Sequence, residues 1–134
     1  MTTKESEVKM MIVMRKDLNM RKGKMVAQGS HAAVGLALQL ENIDRRTCAM
    51  DNEEKPYEMY QKWLESSFKK ICVSVNSEAE LNEVLQKADG VGLANKLIKD
   101  AGHTEFNGVP TKTCCAILGY SDDLEPITGK LPLL

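Results

Sequence analysis

No purely apolar run in these 134 residues is longer than Met10–Met14. A membrane-crossing helix needs about 20 such residues, so none is expected. The opening stretch, Met1–Lys9, is polar and charged, without the apolar centre of a secretory leader. Four cysteines, Cys48, Cys72, Cys114 and Cys115, form no disulfide framework and no C-x-x-C pair. Adjacent residues on a strand face opposite ways, so Cys114 and Cys115 are not expected to share a partner. All four read as small buried apolar side chains in a reducing compartment, and the chain as cytoplasmic. His31 and His103 stand at no zinc-binding spacing from any cysteine, so neither metal nor cofactor is expected. Internal repeats and low-complexity segments are also missing.

What is present is ordinary: 43% apolar and 28% charged residues. That balance excludes a wholly disordered chain, a collagen-like fibre and a disulfide-dense miniprotein. The length fits one domain able to bury about two-thirds of its unfolded surface. The formal net charge is −1, but its distribution is uneven. Residues 1–40 carry +4, residues 41–60 carry −3, residues 61–100 balance, and residues 101–134 carry −2. Arg15, Lys16, Arg21, Lys22 and Lys24 crowd together against one acid, Asp17. Such a cluster attracts phosphate even on a slightly acidic protein, although a solvated loop and helix start would look the same.

The run VKMMIVM, residues 8–14, followed by a turn-like stretch to Gly23, predicts a buried strand. From Gly23 a long helical pattern places Met25, Gly29, Ala32, Ala33, Leu36, Ala37 and Leu40 on one face. Lys24, Gln28 and His31 form a second stripe, expected roughly opposite. Residues 42–55 are polar and read as a loop or frayed helix end. Pro56 suits a helix start; Tyr57, Tyr60, Trp63, Leu64 and Phe68 then follow at helical spacing, an apolar face for the sheet. KICVSV, residues 70–75, predicts a strand. Ser77 and Glu80 form a capping box ahead of Leu81, Val84, Leu85 and Ala88, and Gly90 and Gly92 end that helix. A short strand over residues 95–98, a turn at Asp100-Ala101-Gly102, a strand over residues 113–118, a helical turn over 122–127 and an apolar tail complete the chain. The fold class expected is α/β: a single domain over residues 8–134 behind a flexible tail 1–7, with a mixed four-stranded β-sheet flanked by helices in three layers, α/β/α. Ligands of such domains collect beyond strand ends, here at Arg15–His31 and after Ile98.

Gly23-Lys24 is not a phosphate loop, because the upstream glycine is missing and Met25 replaces the hydroxyl residue. G-x-G-x-x-G, G-x-S-x-G and H-E-x-x-H are absent. Four blocks remain: Arg15–Lys24 (RKDLNMRKGK), Val26–Ala32 (VAQGSHA), Ile98–Thr104 (IKDAGHT) and Thr128–Leu133 (TGKLPL). In this order they resemble the second, archaeal/eukaryotic-type family of peptidyl-tRNA hydrolases. The chain departs from that pattern at Gly29, where cysteine is common, and at His103, where arginine is common. A residue inserted after Thr104 leaves Thr111 and Thr113 competing for one family position. The stretch from Glu41 to Lys62 is longer and more acidic than the family pattern.

The resemblance implies hydrolysis of the ester between a nascent peptide and tRNA, releasing both. It makes Lys24, Asp100 and Thr104 the catalytic group. Gln28, His31, Thr113, Arg15 and Lys22 become substrate-binding residues, peptidyl-tRNA the partner, and a homodimer a compatible assembly. Lys24 would donate to the developing oxyanion or hold phosphate. Asp100 would orient Lys24 or water, and Thr104 and Gln28 would position water or the terminal adenosine. Alone, each has a plainer reading: Lys24 a solvated helix start, Asp100 a turn former, Thr104 a turn residue, Gln28 solvated, His31 a helix histidine. A catalytically silent tRNA- or RNA-binding module on the same scaffold is the alternative, with a protein-interaction adaptor using acidic residues 41–58 behind it.

Overall fold

The computed structural model describes residues 6–42, 56–103 and 105–134. In chain order the elements are β1 (Val8–Arg15), α1 (Lys22–Glu41), α2 (Pro56–Glu65), β2 (Lys70–Val75), α3 (Glu78–Gly90), β3 (Asn95–Asp100), β4 (Thr111–Tyr120) and α4 (Ser121–Thr128). The sheet order is β2-β1-β4-β3. β1 runs parallel to β2 and antiparallel to β4, and β4 pairs antiparallel with β3. The sheet is therefore mixed, as expected.

Its two central strands are apolar on both faces because both faces are covered. Along β1, Met10, Ile12 and Met14 pack beneath α1 and α2 with Leu36, Leu40, Tyr60 and Trp63. Met11 and Val13 turn the other way, toward Leu81, Val84 and Ala88 of α3 and Leu124 and Ile127 of α4. β4 divides likewise: Cys114 joins the first cluster and Cys115 the second. Three layers and two cores result. Trp63 anchors the first, at 1% exposure, with its indole N–H donating to the Lys69 carbonyl at 2.8 Å. Burying a large apolar side chain contributes about 1.5–3 kcal/mol.

The capping box forms: Ser77 Oγ accepts the Glu80 N–H at 3.0 Å, while the Glu80 carboxylate reaches back to the Asn76 N–H at 2.9 Å. The apolar tail is drawn against the outer edge of β2. Val73 bridges Leu133, the Ser74 N–H donates to the Pro132 carbonyl, and the Leu134 N–H donates to the Cys72 carbonyl. An edge strand is thereby partly covered.

Several expectations change. Gln28 is buried: at 100° per residue it flanks the Ala32–Leu36 face and does not oppose it. Leu64 and Phe68 are exposed. Phe68 lies past the end of α2 with φ +55° and covers the buried Trp63 in a tilted ring contact, centroids 4.5 Å apart. Cys72 is exposed rather than buried; it stands on β2, the edge strand, opposite Ile12. β3 extends through Asp100, which ends a strand where a turn was expected. Of the tail, Ser6 and Glu7 are held: the Glu7 carboxylate pairs with Lys69 at 2.9 Å and its carbonyl accepts the Ser121 N–H. Residues 1–5, Cys48, Thr104 and most of the polar stretch 42–55 lie outside the described residues.

Candidate active site

α1 begins without the usual devices of a helix start. Arg21 sits at the cap position with extended backbone and no side-chain cap, and the first turn holds no acid. Arg21, Lys22 and Lys24 gather instead at the positive end of the helix dipole, which favours anions nearby. Lys22 is exposed, and the Arg21 side chain is 92% exposed. Lys24 turns inward. Its side chain is 14% exposed, and Nζ donates to Asp100 Oδ1 at 2.9 Å. The ammonium also lies 5.8 Å from the centre of the Phe106 ring.

The other Asp100 oxygen, Oδ2, accepts the Gly102 N–H at 2.8 Å. This turn requires glycine. Gly102 has φ +87°, and a Cβ there would collide with the Val109 backbone. With both oxygens engaged, the Lys24 hydrogen bond first and the Gly102 N–H after it hold the Asp100 carboxyl below its ordinary value, against desolvation. Asp100 is ionised at neutral pH and a weak base.

Behind the pair runs a buried relay. Gln28 Nε2 donates to Asp100 Oδ1 at 3.4 Å, and Gln28 Oε1 accepts from Thr113 Oγ1 at 2.6 Å. Cys114 Sγ donates to the Gln28 carbonyl at 3.3 Å. Thr113 and Cys114 are neighbours in one strand, yet both meet α1. The cause is a register shift: Ile98 pairs with Cys114 and Lys99 with Lys112, leaving Thr113 as an extra residue. A bulge of this kind re-aims a side chain. It also separates the two threonines, since Thr111 Oγ1 donates only to the Val109 carbonyl, at the strand's start. Cys114 is no nucleophile, because burial pushes its thiol up to about 11.

Between α1 and β3 a groove of about 370 Å³ is lined by Gln28, His31, Lys96, Ile98, Lys99 and Asp100, among others. Lys24, Asp100, Gln28, Thr113 and His31 thus come together. Arg15 is spent elsewhere: it is buried, grips Asp17 with Nε and Nη2 at 3.1 and 2.6 Å, and gives Nη1 to the Lys112 carbonyl. It braces the end of β1 against β4 and has no free face for phosphate. Thr104 lies outside the described residues. Lys96 and Lys99 were missed from sequence, where they look like the outward lysines of any strand; only the groove reveals their position. Among the described residues no three His, Cys, Asp or Glu side chains converge as a metal site would. The cluster offers a desolvated ammonium held by a carboxylate, an oriented amide and a neighbouring cleft, which suits polarising a carbonyl and positioning water.

The profile of the peptidyl-tRNA hydrolase PTH2 family matches residues 8–134. A peptidyl-tRNA hydrolase of Methanocaldococcus jannaschii is 41% identical over 128 residues, covering 95% of this chain and 100% of that protein. The Methanothermobacter thermautotrophicus enzyme of the same name is 39% identical over 129 residues, with 95% and 100% covered. That of Thermoplasma acidophilum is 36% identical over 128 residues, with 94% and 97% covered. A solved structure, a protein of unknown function from Agrobacterium, superposes with a TM-score of 0.60 at 14% identity over 96% of this chain and 98% of that one; it shares the fold alone. With the profile spanning both the Lys24 helix and the Asp100 strand, and relatives matched end to end, the chain belongs to the peptidyl-tRNA hydrolase PTH2 family and is a hydrolase.

Proposed function

We propose that this chain cleaves the ester between a peptide and the terminal ribose of tRNA at the Lys24–Asp100 pair. The observation that carries this reading is the 2.9 Å contact between those groups, seventy-six residues apart in sequence, at the head of a groove. Water adds to the ester carbonyl, and negative charge builds on its oxygen. Lys24, held in place by Asp100, donates to that oxygen. The bond to the ribose oxygen then breaks. One proton of the water passes to the departing ribose oxygen, which becomes a hydroxyl, and the peptide leaves as a carboxylic acid that ionises in solution. Asp100 keeps Lys24 placed and orients the water; its ionised state makes it a poor proton acceptor.

Gln28, pinned by Thr113, presents its amide to the same centre. His31 faces the groove as a binding residue, and Thr104 keeps the water- or adenosine-positioning role that the resemblance implies. Phosphates of the tRNA acceptor end meet the uncapped start of α1, where Arg21 and Lys22 stand exposed. Incubation of purified protein with N-acetyl-aminoacyl-tRNA tests this: free tRNA should be released with multiple turnover, and release should collapse in Lys24→Ala. Salt-dependent binding without turnover would establish the silent binding module instead.

A further inference from the structure

β3 is the outermost strand on its side of the sheet, so one of its backbone edges faces away from β4. The hydrogen bonds tell which residues point that way. The Ala94 carbonyl accepts the Leu118 N–H from β4, and the Ile98 carbonyl faces Thr113. Residues 94, 96 and 98 therefore turn inward, and by alternation residues 95, 97 and 99 turn outward. The Asn95 carbonyl, on the outer side, is taken by Gln39 Nε2 at 3.3 Å. Leu97 and Lys99 then present an N–H and a carbonyl each, with no strand beside them among the described residues. The groove follows this edge, lined by Lys96, Leu97, Ile98, Lys99, Asp100 and Ala101 in unbroken succession.

We propose that this edge binds the peptide part of the substrate as an added strand, running parallel to β3, with its ester delivered to Lys24 and Asp100. The inference rests on the esterase reading above. Direction follows from chemistry: the ester is at the peptide's C-terminus and Asp100 is at the C-terminal end of β3, so peptide and strand run the same way. Backbone pairing also suits a peptide of arbitrary sequence, since main-chain groups are common to all residues and side chains of an added strand alternate away from the edge.

The test uses one tRNA carrying acetylated peptides of one to seven alanines, with kcat/KM measured for each. Wild-type kcat/KM should rise about fivefold for each backbone hydrogen bond gained. The rise should level off at about five residues, the length of edge that β3 offers at about 3.3 Å per residue. N-methylation along the longest peptide should cost activity at every second residue only, because alternate N–H groups meet the edge. Leu97→Pro removes one outward donor and leaves the inward ladder intact; it should cut the ratio of long- to short-peptide kcat/KM by about fivefold, while Leu97→Ala, which keeps the N–H, should preserve that ratio. A flat length dependence, an N-methyl profile without alternation, or an unchanged ratio in folded Leu97→Pro would overturn the proposal. Should that variant not fold, the N-methyl scan on wild type decides. Turnover of the single-residue substrate separates the two ideas: if it is cleaved and length has no effect, the edge proposal fails alone; if nothing is cleaved, the esterase reading fails and the proposal with it.

Discussion

The hydroxyl of Thr113 donates to Gln28 Oε1 where neither side chain meets solvent to more than 2%. Thr113→Val keeps the shape and deletes the donor, leaving a buried amide oxygen unpaired. We expect a loss of about 1–3 kcal/mol in urea denaturation, with reduced turnover because Gln28 is no longer held toward Asp100. Lys24→Ala removes the donor to the oxyanion and should lower kcat about 10²–10³-fold. Asp100→Asn tests pH dependence. Asp100 has a folded pKa below its ordinary 3.8, so the stabilisation from its ionised pair is complete above the unfolded value, near 3.9. It disappears as pH falls through the lowered folded value. The stability gap between wild type and Asp100→Asn should therefore persist at pH 7 and pH 5 and narrow only below about pH 4, read from denaturation midpoints at each pH.

Elements were legible where a local rule decides them, and illegible where pairing does. The Ser77 cap, the Pro56 helix start and the buried strand of the apolar run in β1 each follow from neighbours in sequence, and the structure reproduces them. Gln28 was misplaced because its polarity suggests a solvated position, whereas burial follows from Thr113 and Asp100, which approach from distant strands. The bulge at Thr113 has no signal in TKTCCAIL; it arises from the register of β4 against β3. At this scale Gly102→Ala should be severe. The turn needs positive φ, and the added methyl meets the Val109 backbone; the positive φ alone costs about 1 kcal/mol or more. Its activity should fall further than its stability accounts for, since the Gly102 N–H also holds Asp100. Ser77→Ala, far from the groove, should cost about 1 kcal/mol by loss of the cap, with kcat unaltered.

For the whole molecule, sheet order decides the chemistry. β1 and β4 are adjacent and β3 flanks them, which places the start of α1 over the end of β3 and brings Lys24 to Asp100. The order of strand and helix patterns foretold one mixed α/β domain and the family resemblance implied the pair, but strand order and the edge left beside the groove come from long-range pairing that periodicity does not encode. The uneven charge fits this geometry. The net charge of −1 conceals Lys96 and Lys99 along the groove and Arg21, Lys22 and Lys24 at the start of α1. KM for a tRNA substrate should accordingly rise steeply with salt between 50 and 200 mM, following counterion release, while kcat stays nearly constant. The proposed catalysis depends on the Lys24–Asp100 ion pair, and its direct test is single-turnover release of tRNA from N-acetyl-aminoacyl-tRNA by wild type and by Asp100→Asn, with circular dichroism to verify folding. We predict rapid release by the wild type and a folded variant slowed at least about a hundredfold; equal rates for the two proteins would contradict the account.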